Sequence, residues 1–480
     1  WSVQPAVNKN IKYPFAGTKN HTVTLGVFNP TTQQTIFLET QPKTDQYLTS
    51  VTWSPDEKHI YIALLSRNQK HLALNKYNAE TGKLVKTLFK EDDAKYVEPQ
   101  NELHFIPGKT NEFVWWSQRD GFMHLYRYNT DGKLLNQITK GNWIVTEIAG
   151  ENAKKKELLI ITTKDSPKDR HLYAVNWENG SLRKISTDAG THLASISSNG
   201  EYAIDSWTNE TTPRVIDVIA TNGKFKQNLL IAKNSLQNHT TAKVENVTLK
   251  ADDGTDLFGK LIYPTNFDAT KKYPVIVYLY NGPHAQLITN RFPASGNLWY
   301  DHLAAKGYVV FTMDGRGSAN RGLKFEQAVH GNLATVEMND QMKGVDYLKS
   351  LSFVDASRMG IHGWSYGGFM TTSFMLRQPD VFKVGVAGGP VLDWKQYEIM
   401  YAERYMESPQ DNPKGYEENN LLNRTKDLKG KLLMIHGTQD PVVVWQHSID
   451  FLRNAVSNNV QMDYFVYPGH EHNVRGKERV

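Results

Sequence analysis

Ser365 stands between Gly363 and Gly367 in the run Gly363-Trp364-Ser365-Tyr366-Gly367-Gly368. This is the G-x-S-x-G spacing of a nucleophile elbow, a turn so tight that the residues two before and two after the serine must lack side chains. A hydroxyl becomes a useful nucleophile only when a base takes its proton, and the base needs a third group to hold its tautomer. Where such an elbow is used, an acid and then a histidine follow it along the chain, each in a loop after a strand. Asp440 meets that requirement, because the apolar run Leu432 to His436 ends in Gly437-Thr438-Gln439-Asp440-Pro441, whereas Asp380 and Asp393 follow no such run directly. For the base, the run Met462 to Tyr467 leads into Pro468-Gly469-His470-Glu471-His472, and spacing leaves His470 and His472 equal. His362 and His436 end strand-like runs and are expected to pack there. Tyr280 ends another and precedes Asn281-Gly282-Pro283. Its hydroxyl is placed to meet a developing oxyanion, with the backbone N–H of Tyr366 as second donor.

Between the serine and the acid, Trp394, Tyr397 and Tyr401 recur at helical spacing within Val391 to Tyr401. Such a stripe ordinarily packs in a core. Just after the nucleophile's helix and strand it is expected to wall a flat apolar pocket, which suits a pyrrolidine ring better than a charged side chain. Glu398 beside it is a carboxylate able to pair with a cationic substrate end, the bland alternative being a solvated surface charge.

The elements that must position these groups are legible in the second half. A hairpin (Val244 to Leu249, Asp252-Asp253-Gly254, Leu257 to Tyr263) precedes apolar runs at Val275 to Tyr280, Tyr308 to Met313, Met359 to His362, Val384 to Ala387, Leu432 to His436 and Met462 to Tyr467. Apolar strands separated by helices indicate a parallel sheet covered on both faces. With the elbow, residues 236–480 are expected to form an α/β-hydrolase domain.

Residues 1–235 instead alternate short strands with turn signals. His71-Leu72-Ala73-Leu74 followed by Thr81-Gly82-Lys83 returns at His124-Leu125-Tyr126-Arg127 with Asp131-Gly132-Lys133 and at His171-Leu172-Tyr173-Ala174 with Asn179-Gly180. It returns more faintly at Arg214 to Asp217 and at His21 to Thr24. The period matches a four-stranded propeller blade, with Asp/Asn-Gly as a hairpin turn inside each. The recurring histidines hold matching blade positions and are expected to be structural. Four or five blades are too few to close, so further blades are expected before Trp1.

At 480 residues, with 39% hydrophobic and 22% charged residues, the chain is a globular protein of more than one domain. A net charge of +5 without a basic block speaks against nucleic acid. No apolar run is long enough to cross a bilayer as a helix. There is no cysteine, which removes disulfides, thiolate nucleophiles and cysteine metal sites. No metal or organic cofactor is called for.

Gly363 to Gly368, Tyr280-Asn281-Gly282-Pro283, Asp314-Gly315-Arg316-Gly317-Ser318 and Tyr401-Ala402-Glu403-Arg404-Tyr405-Met406 resemble the dipeptidyl peptidase IV group of prolyl serine peptidases. Gln396 to Tyr401, Asp440 to Trp445 and His470 to Val474 resemble its bacterial prolyl tripeptidyl members most. The resemblance implies Ser365, Asp440 and His472 as the triad, choosing the second histidine, and Tyr280 with the Tyr366 amide as oxyanion donors. It implies a proline pocket of Val391, Trp394, Tyr397, Tyr401, Val442 and the Tyr366 ring, and Glu398 on the substrate's free amine together with a propeller glutamate. Dipeptidyl members carry an asparagine where this chain has Val442, which favours release of Xaa-Xaa-Pro tripeptides; Xaa-Pro release and acylaminoacyl hydrolysis are the alternatives. The propeller's amine-binding glutamates have no evident counterpart here. The chain stops eight residues past His472, without the closing helix usual in the fold, so an incomplete form of the enzyme is expected. A homodimer and a periplasmic or cell-surface location are also implied, with peptides bearing a free N-terminus and proline as substrates.

Overall fold

The computed structural model describes residues 11–41 and 45–479; residues 1–10 and 42–44, within the region read above as blades, and Val480, at the end of that read as hydrolase, lie outside the described residues. Four four-stranded antiparallel sheets follow one another along the first half, preceded by a two-stranded one at Gly26–Asn29 and Gln34–Phe37. The first full sheet runs Gln46–Trp53, His59–Ser66, His71–Asn78 and Leu84–Asp92, each strand beside the next. The recurring sequence segment is the third strand of each sheet: His71–Asn78, His124–Asn129, His171–Asn176 and Val215–Ala220. These strands bury alternate or nearly all side chains and build the cores between adjacent blades, with Leu74, Phe113, Trp115 and Tyr126 in one such cluster. The faint copy at His21 to Thr24 is irregular, and the strand nearest it starts at Gly26, where pairing with Phe37 begins.

The blade histidines are bonded within their own sheets. His124 Nδ1 meets Thr139 Oγ1 at 2.9 Å and His171 Nδ1 meets Ser186 Oγ at 3.0 Å, each tying the third strand to the end of the fourth. His71 pairs with Asp92 in the same way, at the surface.

The second half is one eight-stranded sheet. Its strands are β1 (Val244–Lys250), β2 (Asp256–Ile262), β3 (Tyr273–Tyr278), β4 (Val309–Met313), β5 (Val354–Trp364), β6 (Val384–Gly388), β7 (Lys431–Gly437) and β8 (Asp463–Tyr467), in spatial order β1-β2-β4-β3-β5-β6-β7-β8. The β1–β2 hairpin and β2–β4 are antiparallel; every other pair is parallel. Helices α1 (Leu298–Ala305), α2 (Val336–Ser350), α3 (Tyr366–Arg377), α4 (Ile399–Met406) and α5 (Gln446–Ser457) connect the strands. Register decides where chemistry happens. Tyr278 pairs with His362, Trp364 with Gly388, Gly388 with Ile435, and Gly437 with Tyr467. The loops leaving β3, β5, β6, β7 and β8 therefore all emerge at one edge, where parallel α/β sheets bind ligands. No helix among the described residues is long and apolar enough to cross a membrane.

Propeller and hydrolase meet through polar side chains gathered on α4. Arg67 holds Glu403 by two hydrogen bonds, Nε at 2.9 Å and Nη2 at 2.8 Å. Arg404 reaches Gln69 at 2.7 Å and pairs with Glu98, which also takes His284 Nε2 at 2.7 Å. The Glu403 side chain is only 2% exposed. Removing its cation leaves a carboxylate buried with the Gly17 amide, so Arg67→Met is expected to cost roughly 2–4 kcal/mol of stability, read as a lowered thermal midpoint.

Candidate active site

Ser365 sits where β5 turns into α3, with φ +61° and ψ −117°, a left-handed conformation a serine adopts only when its surroundings enforce it. The enforcement is steric and hydrogen-bonded. A Cβ at Gly363 would collide with the Gly367 carbonyl, and one at Gly367 with the Leu279 carbonyl. The Ser365 amide donates to the Gly388 carbonyl at 2.7 Å, pinning the elbow to the end of β6. Helix α3 begins at Tyr366, directly after the serine, and the amide of a first helical residue has no intrahelical acceptor.

β3 ends at Tyr278, so Tyr280 lies in the loop beyond it rather than at the strand's last position. Asn281 follows in a left-handed conformation (φ +62°) within that loop. Burial pushes the Tyr280 phenol up, with the neighbouring Ser365 side chain offsetting part of that, so the phenol stays a neutral donor. Its ring centroid is 6.1 Å from that of Tyr366. The rest of the loop is clamped by Asp314, whose carboxylate accepts the amides of Leu287 at 2.9 Å and Ile288 at 2.8 Å.

Asp440 follows β7 and is fully buried at its carboxylate. Oδ1 accepts the amides of Val442 and Val443, both at 2.9 Å, and Oδ2 faces two imidazoles, His472 Nδ1 at 2.6 Å and His436 Nε2 at 3.2 Å. Burial alone would raise this carboxyl, but the bonds from His436, His472 and the backbone outweigh it and bring it down to about 2. A group depressed on folding contributes stability above its unfolded value, 3.8, and loses it as pH falls toward 2. Asp440→Asn is therefore expected to flatten the acid limb of a plot of urea midpoint against pH in that window.

Of the two histidines left open by spacing, His472 carries the bond to Asp440, while the His470 ring packs on Tyr467 with centroids 5.4 Å apart. Two contacts hold the His472 loop. Trp364 Nε1 donates to the His472 carbonyl at 2.8 Å, and the imidazole lies over Gly389, where a Cβ would come within 3.3 Å of its Cε1. Gly389 adjoins the carbonyl that receives the Ser365 amide, so serine and imidazole flank the same two-glycine turn.

The aromatic stripe is not one helical face. Trp394 lies in a short 3-10 turn capped by Asp393, Tyr397 is extended, and Tyr401 lies in α4. The break arises because Pro14 to Ala16 pair with this segment, Ala16 N to the Tyr397 carbonyl at 3.1 Å and Ile399 N to the Pro14 carbonyl at 3.0 Å. The rings converge all the same: Trp394 stacks on Tyr401 at 5.9 Å, Tyr397 meets Tyr401 edge-on at 5.3 Å, and Tyr366 lies 5.7 Å from Trp394. Trp394 and Val391, each 1% exposed, are packed among the core side chains of the hydrolase. Val442 is 41% exposed on the loop after Asp440, and its carbonyl accepts the Tyr13 hydroxyl at 2.7 Å. Glu398 caps α4, accepting the amides of Met400 at 2.9 Å and Tyr401 at 2.7 Å.

Sequence reasoning passed over Tyr13, Trp364 and His436's bond to the acid. Trp364 lies inside the elbow motif and His436 four residues before Asp440, so both had a positional signal. Tyr13 had none, because its contact spans 429 residues.

Two family models match the chain: the dipeptidyl peptidase IV N-terminal region over residues 3–214 and the prolyl oligopeptidase family over residues 298–480. Mouse dipeptidyl peptidase 8 is 28% identical over 498 residues, covering 90% of this chain and 56% of that protein. A Coccidioides posadasii protein named as a dipeptidyl-aminopeptidase B is 31% identical over 493 residues, covering 97% and 53%. The chain thus spans about half the length of these relatives. Among solved structures, a Bacteroides ovatus protein described as a dipeptidyl aminopeptidase IV superposes with a TM-score of 0.96 at 43% identity, over all of this chain and 71% of that one. Porphyromonas gingivalis dipeptidyl peptidase 4 superposes at 0.90 and 30% identity, over 97% and 66%.

Proposed function

The chain belongs to the prolyl oligopeptidase family of serine peptidases, in its dipeptidyl peptidase IV group, and from that premise we propose a serine exopeptidase that releases Xaa-Xaa-Pro tripeptides from a free peptide N-terminus. The observation that carries the reading is Asp440 bonded at 2.6 Å to His472, whose imidazole lies over Gly389, next to the Gly388 carbonyl that anchors the Ser365 amide. In this reading His472 takes the Ser365 proton as the oxygen attacks the carbonyl carbon of the proline. Asp440, ionised at any working pH, holds His472 Nδ1–H and stabilises the imidazolium. The Tyr280 hydroxyl and the Tyr366 amide receive the oxyanion. The imidazolium then protonates the leaving amine, and water, deprotonated by His472, releases the tripeptide and restores the serine.

The ring cluster of Tyr366, Trp394, Tyr397 and Tyr401 supports a site for the proline ring, to which the proposal adds Val391 and Val442. Glu398 supports amine binding: both of its oxygens are oriented by backbone amides, and each keeps a lone pair for an ammonium. The apolar Val442 two residues after Asp440 favours the tripeptide register, and the dipeptidyl names of the matched relatives favour Xaa-Pro release as the second reading. Action on peptides outside the cytoplasm and a homodimer belong to the same proposal.

Chromogenic Xaa-Xaa-Pro and Xaa-Pro substrates, each with free and blocked amines, test it. Faster turnover of the free tripeptide is expected. Preference for the dipeptide would reassign the register, and equal cleavage of blocked substrates would remove the exopeptidase claim in favour of acylaminoacyl or internal hydrolysis.

A further inference from the structure

Helix α2 carries two fully buried polar side chains one turn apart, Glu337 and Gln341, and each touches a residue next to or within the proposed oxyanion site. Gln341 Nε2 donates to Asn281 Oδ1 at 2.9 Å and to the Met313 carbonyl at 2.8 Å. Asn281 is the left-handed residue that follows Tyr280. Glu337 Oε1 accepts the Tyr366 hydroxyl at 2.6 Å and the Ala334 amide at 3.0 Å, while its Oε2 is buried with no hydrogen-bond partner. A buried carboxyl with an orphaned oxygen is costly, and packing alone gives no reason to have one.

We propose that Glu337 is a positioning residue for acyl transfer: through the Tyr366 hydroxyl it fixes the residue that supplies the second oxyanion donor, and Gln341 does the same for Tyr280 through Asn281. This rests on the reading of Ser365 as the nucleophile. Tyr366 is pinned at both ends, its backbone by the elbow and its hydroxyl by Glu337, so its amide cannot swing away from the site. A donor displaced by about 1 Å costs on the order of a hundredfold in rate.

The bond also imports a charge. Burial pushes the Glu337 carboxyl up to about 7, against the hydrogen bonds from Tyr366 and Ala334, and Asp340 on the same helix adds to the rise. From α3, Arg377, whose guanidinium donates to the Ala334 carbonyl at 3.4 Å, is the cation whose charge opposes the rise, itself opposed by Arg424. Asp340 is neutralised by Arg316 at 2.7 Å. Glu337 is thus neutral below pH 7 and ionises above it, placing a negative charge one side chain from a developing oxyanion. Glu337→Gln keeps the acceptor for Tyr366 and cannot ionise; Glu337→Ala removes the acceptor.

The test is the second-order rate of Ser365 labelling by a fluorophosphonate between pH 5.5 and 9, alongside kcat and KM on the preferred peptide. The wild-type rate is expected to fall above pH 7, and Glu337→Gln to match it within about threefold below pH 7 while staying flat above. Glu337→Ala is expected to lose at least about tenfold below pH 7, in kcat more than in KM. The proposal is overturned if the Glu337→Gln profile superposes on the wild type above pH 7, whether or not the alanine variant folds. It is equally overturned if a folded Glu337→Ala labels at the wild-type rate below pH 7. A wild type that takes no label at Ser365 would sink the serine reading and this proposal together, whereas normal labelling with an unchanged Glu337→Gln profile sinks only the positioning role.

Discussion

Ser365→Ala is expected to lower kcat by about 10⁶-fold, with KM and the thermal midpoint close to wild type. The size follows from the division of labour at the elbow. Without the hydroxyl no acyl-enzyme forms, and only binding and the oxyanion donors remain to favour attack by water. Fold is spared because the Ser365 backbone bond to Gly388 and the glycines on either side do not depend on the side chain. His472→Ala is expected to fall to a similar level, and the double variant no further, since each change alone already disables the unit. Additive losses would mean that the two residues act separately, and kcat values for the three variants decide it.

Tyr280→Phe is the second large effect, an expected loss of about 10²–10³-fold in kcat with little change in KM. The phenol is held neutral by burial and aimed at the elbow, so it donates to a charge that exists only once the carbonyl has been attacked. Deleting one oxygen leaves the ring's packing against Tyr366 in place. Loss of KM rather than kcat would assign Tyr280 to substrate binding. Steady-state kinetics on the preferred peptide separates the two.

The elbow and the strands of the hydrolase half were legible because their signals are local. Gly363, Ser365 and Gly367 are bound by one turn, and the apolar run Val275 to Tyr280 and those ending before Ser365, Asp440 and His472 each correspond to a strand of one mostly parallel sheet. The blade period was visible for the same reason, since each repeat closes its own hairpin.

What escaped depends on contacts distant in sequence. The regular spacing of Trp394, Tyr397 and Tyr401 suggested one helix, yet Pro14 to Ala16 hold Tyr397 extended, and no periodicity records a partner nearly four hundred residues away. Glu337 reads as an ordinary first-turn helix glutamate; its burial and its bond to Tyr366 exist only once α2 packs against α3. Glu398, read as a charge for substrate, also caps α4, a local role its position before Ile399 could have signalled.

The most direct test of the central claim is to treat the protein with a fluorophosphonate and map the adduct by mass spectrometry. A single adduct on the peptide containing Ser365, abolished by His472→Ala, is predicted. Hydrolysis of proline peptides by a protein that labels elsewhere, or whose labelling at Ser365 survives loss of the His472 imidazole undiminished, would contradict the account.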